Sequence, residues 1–296
     1  MSLDDLSNLR LAKPESTEDL ARRLAREQTA VTRQHERDLE EVSLPPRRVG
    51  SVQYLNAVPL TRGLEDQVVF ATPARLATLL RAGELDAALV SVTEPLLHEG
   101  YDVLDGVAVA SLGEVLSVFL AHRVPLEQVK RVACDPASLT SVNLLKVLLA
   151  ERGLKPEFVP LAAYAEAPAQ EAVLLIGDPA IDFLRAPHPD HAIWDLGSAW
   201  NELTHLPFVY AVWALRRGVD TTGIRRVLRE AKVFGLETLD YIISNRPEYD
   251  EAFRRDYLGW HIHYHLGTDE KRGLARFAEL LRKHGLGPVH EPNYVT

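Results

Sequence analysis

The sequence predicts an α/β protein of two lobes with a ligand cleft between them. From Arg48 onward, strand, turn and helix patterns alternate, which is typical of a largely parallel sheet with helices on both faces. Two apolar stretches, VLSVFLAHR and LPFVYAVWALR, bracket a middle unit and are too uniformly apolar for surface loops. We interpret them as paired strands that pass between the lobes. The cleft is then the default ligand site, and the lobes can close around a ligand as on a hinge.

Composition limits the possible functions. The chain has 296 residues, enough for one large or two ordinary domains, and a net charge of −9 that argues against broad binding of nucleic acid. Cys134 is the only cysteine, which excludes an intrachain disulfide and a cysteine-based zinc site. The sequence has no apolar run of membrane-spanning length and no secretory signal. We therefore expect a cytoplasmic protein that does not bind membranes.

The N-terminal residues 1–46 differ from the rest of the chain. They are dense in charges of both signs with scattered Leu and Val, which predicts a charged helical arm that starts at a Ser16 or Thr17 cap. Pro45 and Pro46 are expected to end it. A loosely ordered extension and a role in subunit contact are the alternatives, and a homo-oligomer is left open.

The first lobe is expected to contain three strands before the first crossing. VGSVQYL and QVVFA are predicted strands, and Thr72 is predicted to cap a helix that has Pro73 at its first position. Gly83 ends that helix, and LDAALVS forms the next strand. We assign residues 47–118 and 207–296 to lobe 1 and residues 119–206 to lobe 2.

The second lobe repeats this pattern, and helices follow it. Its predicted elements are the strand KRVACD, the helix TSVNLLKVLLAER and the strands EFVP and EAVLLIGD. The last 75 residues hold three predicted helices that begin near Thr222, Pro247 and Thr268, the third closed by Gly285. The four tryptophans are expected to pack mostly in the core or at the hinge.

Polar residues that follow predicted strands are the candidate site residues, because ligands collect at the carboxyl ends of strands in open α/β sheets. Asn56 ends VGSVQYL and Ser91 ends LDAALVS, where each could contact a ligand or simply cap a turn. Ser111 precedes Gly113 at the entry to a crossing, where it could contact ligand, whereas Ser117 is expected to be only buried.

A hydroxyl-rich turn is the candidate anion site. Ser138, Thr140 and Ser141 cluster at the start of an apolar helix, where free N–H groups and the helix dipole favour a carboxylate or phosphate. Ordinary capping accounts for one of these hydroxyls. Asp178 follows a buried strand, and it either starts a turn or faces the cleft as a carboxylate.

Other catalytic patterns have little support. His261, His263 and His265 do not share one helix face, and the chain contains no HExxH, Walker loop, GxGxxG or GxSxG. We predict neither a metal nor a cofactor.

Taken together, several segments resemble the MqnA family, the chorismate dehydratases of the futalosine route to menaquinone. They are VGSVQYLNAVPL, SLGEVLSV, SLTSVNLL, LLIGDPAI and DLGSAWNELTHLPFVYAVW, and they span about residues 48 to 285. The N-terminal arm falls outside this pattern, and His205 replaces an expected glycine. The resemblance implies the two-lobed fold of type II periplasmic binding proteins.

The resemblance also implies an activity: loss of water from chorismate to give 3-[(1-carboxyvinyl)oxy]benzoate. In this family the enolpyruvyl carboxylate of the substrate is thought to act as the base. Asn56 would then be the catalytic residue, and Ser91, Ser111, Gly113, Ser138, Thr140, Ser141 and Asp178 would bind the small anionic substrate.

Three alternatives remain open at this point. One is a solute-binding protein that captures a small carboxylate without converting it, since one fold hosts many functions. Another is the related 1,4-dihydroxy-6-naphthoate synthase, for which we expect a catalytic histidine that the cleft segments lack. The third, an effector-sensing regulator domain, is disfavoured by the absence of a helix-turn-helix and by the acidic charge.

Overall fold

Two separate β-sheets form the centres of two α/β lobes in the computed structural model, which describes residues 16–39, 48–135 and 139–296. The first sheet contains six strands, which are β1 (Val49–Ser51), β2 (Val69–Phe70), β3 (Ala87–Ser91), β4 (Tyr101–Ser111), β10 (Phe208–Arg216) and β11 (Tyr294–Val295). The second contains five, which are β5 (Val118–His122), β6 (Arg131–Cys134), β7 (Glu157–Pro160), β8 (Ala172–Ile176) and β9 (Ala192–Asp195).

Helices connect and cover these strands. In chain order they are α1 (Thr17–Leu39), α2 (Val58–Thr61), α3 (Pro73–Arg81), α4 (Thr93–Leu97), α5 (Leu139–Glu151), α6 (Gly177–Arg185), α7 (Leu196–Thr204), α8 (Thr222–Glu237), α9 (Leu239–Asn245), α10 (Glu251–Asp256) and α11 (Thr268–Lys283). The mixed α/β architecture with two sheets agrees with the predicted fold class.

Both sheets are mixed rather than purely parallel. In the first, of order β11-β4-β10-β3-β1-β2, β10 runs antiparallel to β3 and β4. In the second, of order β7-β6-β8-β5-β9, β5 runs antiparallel to β8 and β9. These two antiparallel strands are the two long apolar stretches. The prediction that the stretches pair with each other is wrong, because each is buried inside the sheet of its own lobe.

The chain passes between the sheets at residues 112–117 and returns at 205–207. The apolar core is continuous across this boundary, since buried Leu89 of the first sheet and buried Leu174 of the second belong to one cluster. Any cavity between the sheets is therefore surrounded by apolar residues. The lobe boundaries assigned from the sequence remain a prediction.

Local sequence features account for several element boundaries. The Thr72 side chain accepts a hydrogen bond from Arg75 N–H at 3.4 Å, and Pro73 opens α3, which confirms the predicted cap. The first strand is shorter than predicted: β1 ends at Ser51, and Leu55–Ala57 forms a 3₁₀ turn that leads into α2. Asn56 therefore lies in a turn some way beyond the strand end.

The tryptophans divide between core and surface. Trp200 and Trp213 are fully buried, Trp194 packs partly against the core, and Trp260 is 64% exposed. The core or hinge prediction is therefore wrong for Trp260.

The N-terminal arm forms a helix that packs on the first lobe. Asp19 N–H donates to Ser16 Oγ at 3.1 Å, so Ser16 caps α1 as predicted. Ala30 is only 2% exposed, and Arg33 forms a 2.9 Å ion pair with Glu237 at the end of α8. The predicted end of the arm at Pro45 and Pro46 lies outside the described residues. Across the described ranges, no helix combines the length and apolar character needed to span a membrane.

Candidate functional site

A cavity of about 660 Å³, counting the space open to solvent at its mouth, lies between the two sheets. Both lobes contribute to its walls. The lining residues are Val52, Tyr54, Asn56, Pro73, Leu89, Val90, Ser91, Val109, Val115, Ser117, Val118, Thr140, Ser141, Ile176, Gly177, Tyr210, Ala211 and Ile262. The cavity is therefore mainly apolar, with a few hydroxyl groups and one amide.

Asn56 reaches this cavity from the turn after β1. Tyr54 and Ala57 occupy the N-cap positions of the 3₁₀ turn and of α2, so the Asn56 side chain caps neither element and the simple capping interpretation is wrong. Instead, the Asn56 Nδ2 group donates to Tyr257 Oη at 3.2 Å. The amide is thus anchored at one end and faces the cavity at the other.

Ser91 and Thr140 join the two lobes at the cavity wall. Ser91 ends β3 in the first lobe, and its Oγ accepts a hydrogen bond from Thr140 N–H in the first turn of α5 at 2.8 Å. The two hydroxyl oxygens are 2.6 Å apart, and Thr140 Oγ1 also accepts from Thr93 N–H at 3.3 Å. Ser91 therefore contacts the helix N-terminus of the opposite lobe rather than the turn that follows its own strand.

Ser141 contributes the least engaged hydroxyl of this wall. It is buried and lines the cavity, and its hydroxyl has no hydrogen-bond partner among the described residues. The first N–H groups of α5 have no carbonyl partner within the helix, so the same wall presents the positive end of a helix. Ser138, the remaining member of the predicted anion site, lies outside the described residues.

Ser111 and Gly113 form part of the support behind the cavity wall. The Ser111 hydroxyl donates to Gly113 O at 3.1 Å and lies 3.1 Å from Tyr210 Oη. Gly113 has a φ of +88°, a left-handed conformation that suits glycine. Neither Ser111 nor Gly113 lines the cavity, whereas Tyr210 does.

Asp178 lies beside the cavity but not in its lining. Its Oδ1 accepts from Leu55 N–H at 3.2 Å, so a carboxylate at the start of α6 holds the turn that carries Asn56. Burial raises the pKa of Asp178 to about 6. The hydrogen bond from Leu55 N–H lowers this pKa, while the negative charges of Glu248 and Asp182 raise it further.

The raised pKa of Asp178 predicts a pH-dependent stability change. The folded state holds this proton more tightly than the unfolded state, so stability from this group is present below pH 4 and is lost as pH rises through 6. Asp178→Asn keeps an acceptor for Leu55 N–H without the buried charge. It should raise the free energy of unfolding at pH 7.5 by up to about 3 kcal/mol, and the gain should vanish near pH 4. Urea unfolding of both proteins across this range measures it; a gain independent of pH would contradict it.

The ionisable groups in the lining are tyrosines. Burial, followed by the charges of Asp135 and Asp178, raises the pKa of Tyr54 to about 12, and burial raises the pKa of Tyr210 as well. Both hydroxyls therefore remain protonated at neutral pH. Within the described ranges the lining holds no Asp, Glu, His, Lys or Arg, so it offers hydrogen bonds without a strong base.

Three polar lining residues were not predicted as site residues: Tyr54, Ser117 and Tyr210. Ser117 was expected to be only buried; it is buried, and it also lines the cavity and accepts from Tyr257 O–H at 2.7 Å. Tyr210 lies in the otherwise apolar stretch LPFVYAVW, where a lone polar group is a usable sequence signal, whereas Tyr54 lies among other polar residues.

Asp195 holds the first crossing segment in place. Its carboxylate accepts from Val115 N–H at 3.1 Å and Leu116 N–H at 2.9 Å, and it caps α7 through Ser198 N–H at 2.9 Å. Burial raises the pKa of Asp195, and these three donors oppose that rise. Leu116 has a φ of +62°, so its N–H contact with Asp195 helps to hold an uncommon backbone conformation next to Ser117.

The histidine-rich segment has structural contacts. The His261 ring is hydrogen-bonded to Glu114 O at 2.8 Å, His263 pairs with Ala110 through the backbone, and the His265 ring lies 3.3 Å from Lys232 Nζ. In the part of the chain that the structure describes, no group of three or more potential ligands could hold a metal ion.

Comparison with known proteins decides the family. A family model described as menaquinone biosynthesis matches residues 47–283. The chain belongs to this menaquinone biosynthesis family. A chorismate dehydratase from Thermus thermophilus is 37% identical over 259 residues, covering 80% of this chain and 95% of that protein. One from Campylobacter jejuni is 28% identical over 232 residues, covering 76% of this chain and 89% of that protein.

Solved structures agree on the fold of this family member. A crystal structure of an Archaeoglobus fulgidus protein superposes with a TM-score of 0.64 at 18% identity, covering 81% of this chain and 97% of the other. The alkanesulfonate-binding protein SsuA from Xanthomonas axonopodis pv. citri gives 0.59 at 18% identity, covering 83% and 95%. The periplasmic aliphatic sulphonate binding protein SsuA from Escherichia coli gives 0.54 at 15% identity, covering 86% and 94%. The predicted fold of periplasmic binding proteins is confirmed.

His205 is the departure from the expected family pattern. It ends α7 with a φ of 55° and a ψ of 29°, the left-handed conformation that glycine adopts most easily. This left-handed conformation explains why glycine is expected at the position, and His205 adopts the same conformation here. The residue lies at the second crossing, away from the cavity lining.

Proposed function

We propose that the protein is a chorismate dehydratase, which removes water from chorismate to give 3-[(1-carboxyvinyl)oxy]benzoate. We place it in the futalosine route to menaquinone and in the cytoplasm. Membership of the menaquinone biosynthesis family and the two similar chorismate dehydratases support the activity. The structural observation that carries it is a mainly apolar cavity between the lobes, with an amide and several hydroxyls but no strong base in its described lining.

The shape and polarity of the cavity suit this substrate. Leu89, Val109 and Ile262 offer apolar walls for the ring, while Ser91, Thr140 and Ser141 offer hydroxyls. Chorismate carries two carboxylates, and the N-terminal end of α5 offers a favourable dipole for one of them.

The reaction needs a proton acceptor and a stabilised leaving group. A ring proton is removed, its electron pair forms the new ring double bond, and the neighbouring hydroxyl leaves as water after gaining a proton. The product ring is aromatic, so the step is strongly favourable and needs positioning more than a strong protein base. We infer that the enolpyruvyl carboxylate of the substrate accepts the ring proton, which fits the uncharged lining.

Asn56 is the proposed catalytic residue, since its amide can orient the enolpyruvyl group and stabilise charge as the proton moves. Ser91, Thr140 and Ser141 are the proposed direct substrate contacts, and Ser138 is proposed as a further one from its place in the sequence alone. For Ser111, Gly113 and Asp178 we propose an indirect part in substrate binding. They support Tyr210 and the Asn56 turn from behind the lining.

Incubating the purified protein with chorismate tests the proposal. We expect an aromatic product with the mass of chorismate minus water, detected by chromatography, and none beyond slow spontaneous decay when the protein is omitted. Binding of chorismate without conversion would favour a solute-binding role. Conversion of a cyclic futalosine derivative instead would favour the naphthoate synthase.

A further inference from the structure

A buried hydrogen-bond chain connects two walls of the cavity through a residue that lies outside the lining. Asn56 Nδ2 donates to Tyr257 Oη at 3.2 Å, and the Tyr257 hydroxyl donates to Ser117 Oγ at 2.7 Å. Asn56 and Ser117 line the cavity, while Tyr257 is 0% exposed and does not. Tyr257 therefore contacts the Asn56 amide on the side away from the cavity, where a substrate in the cavity would not touch it.

The Tyr257 ring is held rigidly by its surroundings. It opens a π-helical turn, Tyr257–His261, that continues α10, and such turns often occur at functional sites. Phe253, one turn earlier, stacks on the ring with centroids 5.6 Å apart and an interplanar angle of 18°. Tyr249 packs edge-on against Phe253 in turn. The hydroxyl thus has a fixed position before any ligand enters.

The direction of the hydrogen bonds selects one orientation of the Asn56 amide. A tyrosine hydroxyl has one proton, and here Ser117 accepts it, so Tyr257 Oη can only accept from Asn56. The amide must therefore turn its nitrogen toward Tyr257. An asparagine side chain otherwise has two broad orientations of similar energy. Fixing one of them leaves Oδ1 and the second N–H free for a ligand in the cavity.

We propose that Tyr257 is a positioning residue that fixes the amide orientation of Asn56 for catalysis. Its catalytic consequence rests on the proposed dehydratase function, whereas the fixed orientation is a property of the ligand-free protein. One measurement therefore tests the catalytic consequence, and a second tests the amide orientation by itself.

The kinetic test is a double-mutant cycle between Tyr257→Phe and Asn56→Ala. Losing the hydroxyl removes one hydrogen bond, so Tyr257→Phe should lower kcat about 10-fold with KM changed less than about 2-fold. In the Asn56→Ala background the same change should have no further effect on kcat, because the group that it positions is gone. Equal losses in both backgrounds would overturn the proposal, since Tyr257 would then act independently of Asn56.

Tyr264→Phe is the matched control. Tyr264 is also a buried tyrosine of the same C-terminal segment, and its hydroxyl has no hydrogen-bond partner within the part of the chain that is described. Removing it takes away a buried oxygen without breaking a contact, so kcat should stay within about 2-fold of wild type. A comparable 10-fold loss in this variant would show that any buried hydroxyl there matters, and would overturn the specific role of Tyr257.

The second measurement needs no substrate. Asparagine-selective ¹⁵N labelling shows the Asn56 side-chain NH₂ as the signal pair that Asn56→Ala removes. Tyr257→Phe should move this pair toward the values of an unconstrained asparagine, and Tyr264→Phe should leave it in place. An unmoved pair in Tyr257→Phe would overturn the positioning role. If wild type fails to convert chorismate, the dehydratase proposal fails, and this comparison still decides whether Tyr257 orients Asn56.

Discussion

Replacing Asn56 by alanine should reduce kcat about 100-fold or more. A polar group placed where charge develops typically lowers the barrier by about 2.7–4 kcal/mol, and Asn56 is the only amide in the described lining. The loss should appear in kcat rather than KM, because the apolar walls and the hydroxyls that bind the ground state remain. Steady-state turnover of chorismate by variant and wild type measures it.

The fold should survive this substitution. Asn56 lies in a short turn whose backbone is held by Leu55 N–H and Asp178, and this contact does not involve the Asn56 side chain. The cost is one hydrogen bond to Tyr257, about 1 kcal/mol, which for a chain of this size lowers Tm by only a few degrees. Near-normal turnover in a folded Asn56→Ala protein would remove Asn56 from the mechanism.

Much of the fold follows from local sequence patterns. A proline after Thr72 fixes the start of a helix, a glycine after that helix permits the turn that ends it, and a short apolar strand follows, so the βαβ units can be predicted. The antiparallel placement of β5 and β10 is not readable in this way. Both are continuous apolar runs that would fit a parallel or an antiparallel neighbour, and only tertiary packing decides between them.

The candidate site follows a similar division. Asn56, Ser91, Thr140 and Ser141 could be predicted to meet because all of them follow strands of the α/β pattern, and the structure brings them into one cavity lining. Their partners could not be predicted. Tyr257 is 201 positions away from Asn56, in a region read only as helical. A hydrogen bond across that separation depends on how the C-terminal helices return to the first lobe, which no local pattern encodes.

Asp178 shows why a suitable residue type does not define a role. Its position after a buried strand suggested a carboxylate facing the cleft, and it does lie at the boundary of the two lobes. Its oxygen, however, is directed to Leu55 N–H on the other lobe. The spacing of residues predicts where the strand ends. It does not predict the rotamer of Asp178, and rotation about a single bond decides whether its carboxylate faces the cleft or Leu55.

Gly197 packs directly against the backbone of Gly113, just behind the cavity lining. It lies in the first turn of α7, between the capping residue Asp195 and the crossing segment. A Cβ at this position would overlap the Gly113 carbonyl oxygen and would lie 2.9 Å from both Ser111 Oγ and Tyr210 Oη. The obstacle includes backbone that Asp195 holds through two N–H groups of the crossing segment, so it cannot move aside cheaply.

Gly197→Ala should therefore destabilise the protein by about 2 kcal/mol or more and lower turnover together with stability, since relief of the clash must displace Tyr210 in the cavity wall. Urea unfolding and chorismate turnover of the same preparation measure both effects. Gly223→Ala in the first turn of α8 is the matched control, because a Cβ there meets nothing within 4 Å. Alanine favours a helix over glycine, so this control should be neutral or up to about 1 kcal/mol more stable. If the two variants behaved alike, the loss at Gly197 could not come from the clash with the crossing segment, and that segment would have to be more yielding than its contacts with Asp195 imply.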